Sequence, residues 1–442
     1  MRLFGTDGIR GEAGQPPLDA ATVVRVGAAL ARSASHAPRV VIGRDTRESG
    51  PDIESALARG IVAAGGAVNR LGVVPTPAVA YLARSDGFDL GVVISASHNP
   101  YHDNGIKVFS GAGEKFSPEQ EREIERLVAD PAFAVHAPAD VPTAAGEPLV
   151  AHYVDHLRRI LDSAGPLTGS TIVVDCANGA TAAVAPPIFR ALGFDVRAIG
   201  VTPDGRNINA GCGSTAMESL QAEVLATGAR LGVAFDGDGD RALFVDHLGR
   251  RVDGDAVMLI CADLLRSGGA LAGDAIVATV MSNIGLELAL RTRGVGMVRC
   301  PVGDKYVMEE LLKRGLALGG EQSGHVIFAE HLFTGDGIAT ALYVVRALVA
   351  TGKELAGLAA GMTAYPQVLV NVRVKTRTDV AAVPEVARAM KDVELRLAGQ
   401  GRLLVRYSGT EPLLRIMLEG QDQAEITTWA NEIADAVRAT LA

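Results

Sequence analysis

Ser97, three aspartates and two arginines stand in loops where their types and spacing permit chemistry. In the stretch ISASHNPYHDNGIKVF, Ser97 follows the apolar run Leu90–Ile94, has His98 beside it and Lys107 ten residues on. Serine, asparagine and proline also stop strands and start turns, so the placement fits a plain loop as well as a nucleophile or phosphoryl carrier. In DGDGDR, Asp236, Asp238 and Asp240 alternate after the strand-like run RLGVAF, and the intervening glycines let a tight loop turn all three inward. Carboxylates so close repel one another unless a cation sits among them, and hard oxygen ligands suit Mg²⁺. An EF-hand does not fit, because Arg241 replaces the sixth-position glycine and His247 the twelfth-position glutamate. A solvated acidic turn is the alternative. Arg241, directly after the aspartates, fits an anion bound near a metal.

Three further loops are weaker taken singly. RYSGTEPLLR combines Arg406 and Arg415 with Ser408, Gly409 and Thr410. Guanidinium forks, hydroxyls and free backbone N–H groups are what a phosphate requires, but on its own the segment reads slightly better as a polar hairpin. GEQSGH places Glu321, Ser323 and His325 between two strand-like runs, where carboxylate and hydroxyl can grip sugar hydroxyls or simply form a glycine-rich turn. FGTDGIRG sets Arg10 among glycines and an aspartate, equally compatible with a turn. Other patterns fail outright. His152 and His156 stand four apart without the glutamate of a zinc-peptidase helix, and the chain has no Walker loop, no G-x-S-x-G elbow and no G-x-G-x-x-G.

These loops need elements to hold them. The chain has 442 residues, 48% of them hydrophobic, enough for several domains with sizeable cores. With 21% charged residues, a net charge of −9 and no long basic run, nucleic acid is excluded as the main partner, and an anionic ligand would need a local basic pocket. Cys176, Cys212, Cys261 and Cys300 are far apart and form no metal-spaced pair, as in a reduced compartment. No apolar segment reaches membrane-spanning length, and MRLFGTDGIRG lacks a signal core, so a soluble, cytoplasmic protein with no membrane partner is expected.

Short β-branched runs (RVVIGRD, TIVVDCANG, AIVATVMSN) alternate with helical patterns at 53–64, 180–192 and 285–293. That alternation indicates α/β layers with sheets covered on both faces. Each of these three runs opens a segment that later carries a second strand leading into a polar loop: LGVVISASHNP, LGVAFDGDGDR and LALGGEQSGH. This is a weak internal repeat, which chance similarity of apolar strands also produces. The C-terminal part differs. A strand at 368–374, a helix at 380–397, strands at RLLVRYS and LLRIMLE and a last helix at 424–441 make a small α+β unit. Joints near 146–148, 249–254 and 365–366 divide the chain into 1–150, 151–252, 253–365 and 366–442.

Taken together, FGTDGIRG, ISASHNPYHDNGIK, FDGDGDR, VGDKYV, GEQSGH and RYSGTEP resemble the α-D-phosphohexomutase superfamily from end to end and in family order. The resemblance implies an α/β fold of four domains around a central cleft, three related α/β domains with mixed sheets and a smaller C-terminal α+β domain. It implies that Ser97 is a phosphoserine and a metal ligand. Asp236, Asp238 and Asp240 would hold one Mg²⁺ per subunit. Arg10, His98, Lys107 and Arg241 would surround the phosphoserine, with the acid–base role open between His98 and Lys107. Glu321, Ser323 and His325 would hold the sugar, with Lys305, and Arg406, Ser408, Gly409, Thr410 and Arg415 the non-reacting phosphate. Lys305 stands where relatives often carry arginine, which keeps the charge and loses the fork.

The implied reaction interconverts glucosamine 6-phosphate and glucosamine 1-phosphate through a glucosamine 1,6-bisphosphate, feeding synthesis of UDP-N-acetylglucosamine and cell-wall precursors. Gln322 in GEQSGH favours the amino sugar by resemblance. The rivals are the glucose and mannose phosphate branches of the superfamily, a metal-dependent serine phosphatase and a non-catalytic phosphosugar sensor. The implied partner is a small phosphosugar, and the oligomeric state is open, a homodimer included.

Overall fold

The computed structural model describes every residue except 1, 2, 6, 35, 36, 142, 143, 146 and 409–411. Its strands form four sheets. The first contains β1 (Ile9–Glu12), β2 (Arg39–Arg44), β3 (Ala67–Val73), β4 (Leu90–Ile94), β5 (Asp103–Ser110) and β6 (Ala144–Ala145), in the order β1-β5-β4-β2-β3-β6. The second contains β7 (Thr171–Asp175), β8 (Asp195–Ile199), β9 (Leu231–Phe235), β10 (Ala242–Asp246) and β11 (Arg251–Val252), in the order β11-β10-β9-β7-β8. The third contains β12 (Ala275–Thr279), β13 (Gly296–Cys300), β14 (Leu318–Gly320) and β15 (Val326–Phe328), in the order β13-β12-β14-β15. The fourth is antiparallel: β16 (Gln367–Arg373), β18 (Leu413–Glu419) and β17 (Arg402–Tyr407), side by side in that order.

The weak repeat is a topological one. In each of the first three sheets the opening strand pairs in parallel with two neighbours: β2 with β3 and β4, β7 with β8 and β9, β12 with β13 and β14. The second of those neighbours then turns back into an antiparallel partner: β4 into β5, β9 into β10, β14 into β15. The loop of each such turn is one of the three polar loops, so one supersecondary plan presents three different chemistries. β4 and β9 are buried at every position, as central strands covered on both faces must be. β16 instead alternates between more and less buried residues, because only one of its faces packs on helices, at Pro384–Leu397 and Gln423–Leu441.

Two expectations shift. The helix read over 380–397 is a 3₁₀ turn at Val380–Ala382 followed by an α-helix at Pro384–Leu397. Pro384 has no N–H to donate, so it starts a helix rather than continuing one. The helix read over 180–192 is confined to Ala185–Ala191. The preceding backbone is spent elsewhere, with the Ala180 N–H donating to the Gly237 carbonyl at 2.8 Å. The chain forms one compact unit from Met1–Met281 and Val295–Gly361, and a second from Ser282–Gly294 and Met362–Ala442. Within the second unit, the buried Glu419 carboxylate accepts from the Ile284 N–H (3.1 Å) at the start of helix Ile284–Thr292, a favourable place for a negative charge.

All four cysteines are buried and unpaired. No helix among the described residues is long and apolar enough to cross a membrane.

Candidate active site

β2 and β4 run parallel with Arg44 opposite Ile94, so Asp45 and Ser95 leave the sheet side by side at the strands' C-terminal ends. Ligand sites in α/β sheets gather at such ends. Ser97 follows, almost fully buried, in the left-handed backbone region at φ +51°. Its hydroxyl donates to Asp236 Oδ2 at 2.6 Å and lies 3.4 Å from His98 Nδ1. His98 itself is exposed, and its Nδ1 accepts from Arg241 Nη1 at 3.1 Å. Loss of solvent around the ring, then Arg241 and Arg10, push the His98 pKa below its ordinary value, which keeps Nδ1 able to accept.

The β9–β10 turn holds Asp236, Asp238 and Asp240, all buried, with carboxylate oxygens within 4.8 Å of one another. A Cβ on Gly237 would stand 2.6 Å from the Ser97 carbonyl, so only glycine lets the acidic loop come this close to the serine loop. Burial, then Asp240 and Asp238, push the Asp236 carboxyl well up. Burial alone would raise Asp240 too, but Lys107 foremost, with His325 and Arg241, brings it well below the usual carboxylate range. Asp238 Oδ1 and Asp240 Oδ1 are buried with no hydrogen-bond partner. Buried carboxylate oxygens left unpaired are costly, and hard oxygens in a mutually repelling cluster are a donor set for a divalent cation. The three aspartates therefore form a candidate metal site.

Lys107 lies over this cluster, 2.9 Å from Asp238, 3.0 Å from Asp240 and 3.2 Å from Asp7. Burial would lower its pKa, yet Asp238, Asp240 and Asp7 raise it well above normal, so the ammonium stays protonated. Arg10 donates to the Ala96 carbonyl (2.8 Å) and to Asp7 (2.5 Å), placing its guanidinium beside the serine loop. Gly8, at φ +79°, has no room for a Cβ, which would stand 2.4 Å from the Ile106 carbonyl; this is why the β1 approach is glycine-rich. Asp7 is shared with Lys115, which also pairs with Asp304 of the VGDKYV segment. His325 is buried rather than open to solvent. Its Nε2 accepts from the Gly335 N–H (2.8 Å), leaving the Nδ1 proton toward Asp240, 3.7 Å away.

The β14–β15 turn carries Glu321, half-buried, which accepts from the Gly303 N–H at 3.1 Å, and Ser323, exposed. Gln322 donates to Asp253, the N-cap of helix Gly254–Ser267, at 3.1 Å. Lys305 donates to Glu121 at 3.0 Å across to the first domain. In the second unit, Arg406 and Arg415 face each other in the β17–β18 register. Arg415 reaches the Ser408 hydroxyl at 3.4 Å, and the Arg377 guanidinium reaches the Ser408 carbonyl at 2.8 Å. Gly409 and Thr410 lie outside the described residues.

Ser97, Asp236, Asp238, Asp240, Lys107, Arg10, Arg241 and His98 thus come together, in contact or one residue apart. Sequence reading missed Asp7, Thr76, Lys115 and Asp304. Asp7 and Asp304 lay inside motifs already singled out; Thr76, whose hydroxyl donates to Asp238 at 2.5 Å, had no local signal. It also missed Asp45, Arg47, Ser95 and Asn209 as supports of the serine loop.

Family models match most of the chain in four parts: the α/β/α domains I, II and III of phosphoglucomutase/phosphomannomutase at residues 1–134, 151–249 and 253–365, and its C-terminal domain at 369–436. The chain is 49% identical over 439 residues to the phosphoglucosamine mutase of Solibacter usitatus, covering 99% of this chain and 98% of that one. It is also 49% identical to the phosphoglucosamine mutase of Syntrophotalea carbinolica, over 99% and 97% of the two chains. The chain belongs to the phosphoglucosamine mutase family. Among solved structures, a phosphoglucomutase/phosphomannomutase family protein of Burkholderia thailandensis superimposes with a TM-score of 0.79 at 25% identity, over 98% of this chain and 97% of that one. Family membership accounts for four domains on the plan seen in the sheets: three related α/β domains and a smaller α+β one.

Proposed function

We propose that the protein is an isomerase that interconverts glucosamine 6-phosphate and glucosamine 1-phosphate, with Ser97 as the phosphoryl carrier. One observation carries this reading: in a chain of the phosphoglucosamine mutase family, the Ser97 hydroxyl is held 2.6 Å from Asp236 within the three-aspartate cluster. The phosphoryl group on Ser97 passes to the free hydroxyl of a bound sugar monophosphate. The oxygen–phosphorus bond at Ser97 breaks and the sugar oxygen bonds phosphorus; the proton the sugar hydroxyl gives up is balanced by one the Ser97 oxygen takes up as it becomes a hydroxyl, and a 1,6-bisphosphate forms. The bisphosphate reverses its orientation and returns its other phosphoryl group to Ser97.

Asp236, Asp238 and Asp240 would hold Mg²⁺, with an oxygen of the phosphorylated Ser97 as a further ligand. When bound, the ion offsets charge on the transferring group. Arg10, Lys107 and Arg241 supply fixed positive charge around Ser97, so the site is arranged before the reaction begins. Glu321 and Ser323 are the sugar contacts, and the carboxylate of Glu321 favours a cationic amino group over a hydroxyl. His325, turned inward, orients Asp240 rather than touching sugar. Arg406 and Arg415 stand opposite each other on one face of a sheet, where two guanidinium forks can grip one phosphate. With Ser408, Gly409 and Thr410 they bind the phosphate that is not reacting, whichever end it occupies.

The test is a side-by-side initial-rate assay on glucosamine 6-phosphate and glucose 6-phosphate, with Mg²⁺ and a bisphosphate activator, following isomer and free phosphate. The expected kcat/KM ratio is at least about tenfold for the amino sugar, which corresponds to ~1.4 kcal/mol of transition-state binding. Equal or reversed preference moves the protein to the glucose or mannose branch; free phosphate without isomer makes it a phosphatase.

A further inference from the structure

The Ser97 side chain faces the aspartates, but its backbone is gripped from the opposite side by groups that the phosphoryl chemistry does not use. The Ser97 N–H donates to Ser95 Oγ at 2.9 Å, and Ser95 Oγ donates in turn to Asp45 Oδ2 at 2.6 Å. The Ser97 carbonyl accepts from Arg47 Nη2 and from Asn209 Nδ2, each at 2.9 Å. The peptide planes on both sides of the Ser97 Cα are therefore anchored, and these planes set its two soft dihedrals.

Arg47 is completely buried. Its Nε donates to Asp45 Oδ2 (2.8 Å), Nη1 to the carbonyls of Pro100 and Asp103, and Nη2 to those of Ser97 and Asn99 (2.8 Å). A guanidinium has five N–H donors, and here every one has an acceptor. The clamped residue is not relaxed. Ser97 sits at φ +51°, a region a non-glycine residue occupies at a cost, and one that persists where the surroundings over-determine it. Released from its anchors, the loop would return toward a right-handed or extended backbone, swinging the hydroxyl off Asp236.

We propose that Arg47, Asp45 and Ser95 form a clamp of positioning residues that fixes the Ser97 backbone in its left-handed conformation and thereby aims its oxygen at the aspartate cluster. The proposal rests on the reading of Ser97 as phosphoryl carrier. The clamp touches neither sugar nor phosphate, so its loss should fall on kcat and leave substrate binding alone. Placement errors of about 1 Å at a reacting atom cost on the order of 10²-fold in rate.

Two variants test it. Ser95→Ala removes one hydroxyl from the clamp and leaves the Arg47–Asp45 pair intact. Arg47→Lys keeps the charge but offers three donors to five acceptors. Both are assayed for KM, kcat, melting temperature and the single-turnover rate at which Ser97 accepts phosphate from glucose 1,6-bisphosphate. The clamp is supported if Ser95→Ala lowers kcat and the single-turnover rate together by about tenfold, and Arg47→Lys by about 10²-fold, with KM within twofold of wild type. It is overturned if kcat is unchanged, if the loss lies in KM, or if the loss vanishes when the assay is run well below the variant's melting temperature. Should Arg47→Lys fail to fold, Ser95→Ala decides alone. Site-mapped mass measurement of the wild type keeps the two readings apart. Phosphate on Ser97 with a fully active Ser95→Ala overturns the clamp only; an unphosphorylated Ser97 with an active Ser97→Ala removes both.

Discussion

Two buried clusters of charge meet at Ser97, and they are completed to different degrees. Behind its backbone, Arg47 and Asp45 form a fully buried pair in which every guanidinium donor is used and both carboxylate oxygens are engaged. In front of its hydroxyl, two of the three aspartates, Asp238 and Asp240, share the Lys107 ammonium, and the Oδ1 of each finds no hydrogen-bond partner. A satisfied buried network has nothing left to bind and can only hold something still. An unsatisfied one has binding capacity in reserve. The same residue types, a few ångströms apart, therefore divide into support and site, and hydrogen-bond completeness is what distinguishes these two clusters.

The strongest test of that division is Ser97→Ala. Mutase activity should fall at least about 10³-fold, the scale for removing a group that works as part of a unit, while sugar phosphate still binds. Near-normal turnover would show that the front cluster is not a reaction site. Next comes the metal. Excess chelator should abolish activity, and Mg²⁺ should restore it and raise the melting temperature, because an ion that binds only the folded aspartate cluster stabilises it by mass action. Full activity and an unchanged melting curve under chelation would make the front cluster as self-contained as the rear one.

Stability should separate the two clusters in the opposite sense. Arg47→Ala leaves Asp45 buried without its partner and should cost about 3–5 kcal/mol in urea unfolding. Asp236→Asn, measured without metal, removes one of three repelling charges without breaking the Lys107 pairs and should cost less than about 1 kcal/mol. If the costs are reversed, the rear cluster is not the load carrier. Below the cost of Arg47→Ala comes the effect expected at the C-terminal loop. Arg415→Ala should raise KM for the sugar monophosphates by about 10- to 150-fold, the equivalent of ~1.5–3 kcal/mol for one charge-assisted contact, without removing phosphate from Ser97.

A pH-dependent effect belongs to a cluster of rings that sharpens the contrast with both charged ones. His156 stacks on Tyr81 at 4.3 Å and meets His331 edge-on at 5.0 Å. Burial, then His331, Arg159 and Arg84, push its pKa down from 6.5 to about 4. The folded state thus holds its proton more weakly than the unfolded one. The stability it contributes is complete above about pH 6.5 and is lost as the pH falls toward 4. His156→Gln should flatten the unfolding free energy over that acid window and leave it unchanged at pH 8; an unaltered acid limb would mean the ring titrates normally.

Much of the fold was legible because it is local. Unbroken apolar runs such as LGVVI and LGVAF announce central strands covered on both faces, and the alternation in QVLVNVR announces a one-faced sheet. Helix limits failed where tertiary bonding or a proline intervened, at Ala180 and Pro384. The candidate site was legible where its residues stand within one loop: Ser97 with His98, the three aspartates with Arg241, Arg406 with Ser408. Spacing along the chain sets those groups on one turn, and repulsion among three carboxylates is a property of the segment itself.

The sequence alone determined which groups the site has available, because side-chain chemistry and turn propensity need no partner. Tertiary structure decided which of them meet. Lys107 could equally have been a surface cation until β5 returned beside β4 and set it on Asp238 and Asp240. Arg47 reads as one more arginine after a strand until five acceptors from Asp45 and the serine loop close around it. His325 is one residue of a polar turn until the chain folds it inward between Asp240 and Asp304. The burial of polar side chains and their long-range pairing set hydrogen-bond completeness, and no local pattern encodes either. The difference between a clamp and a site therefore exists only in the folded chain.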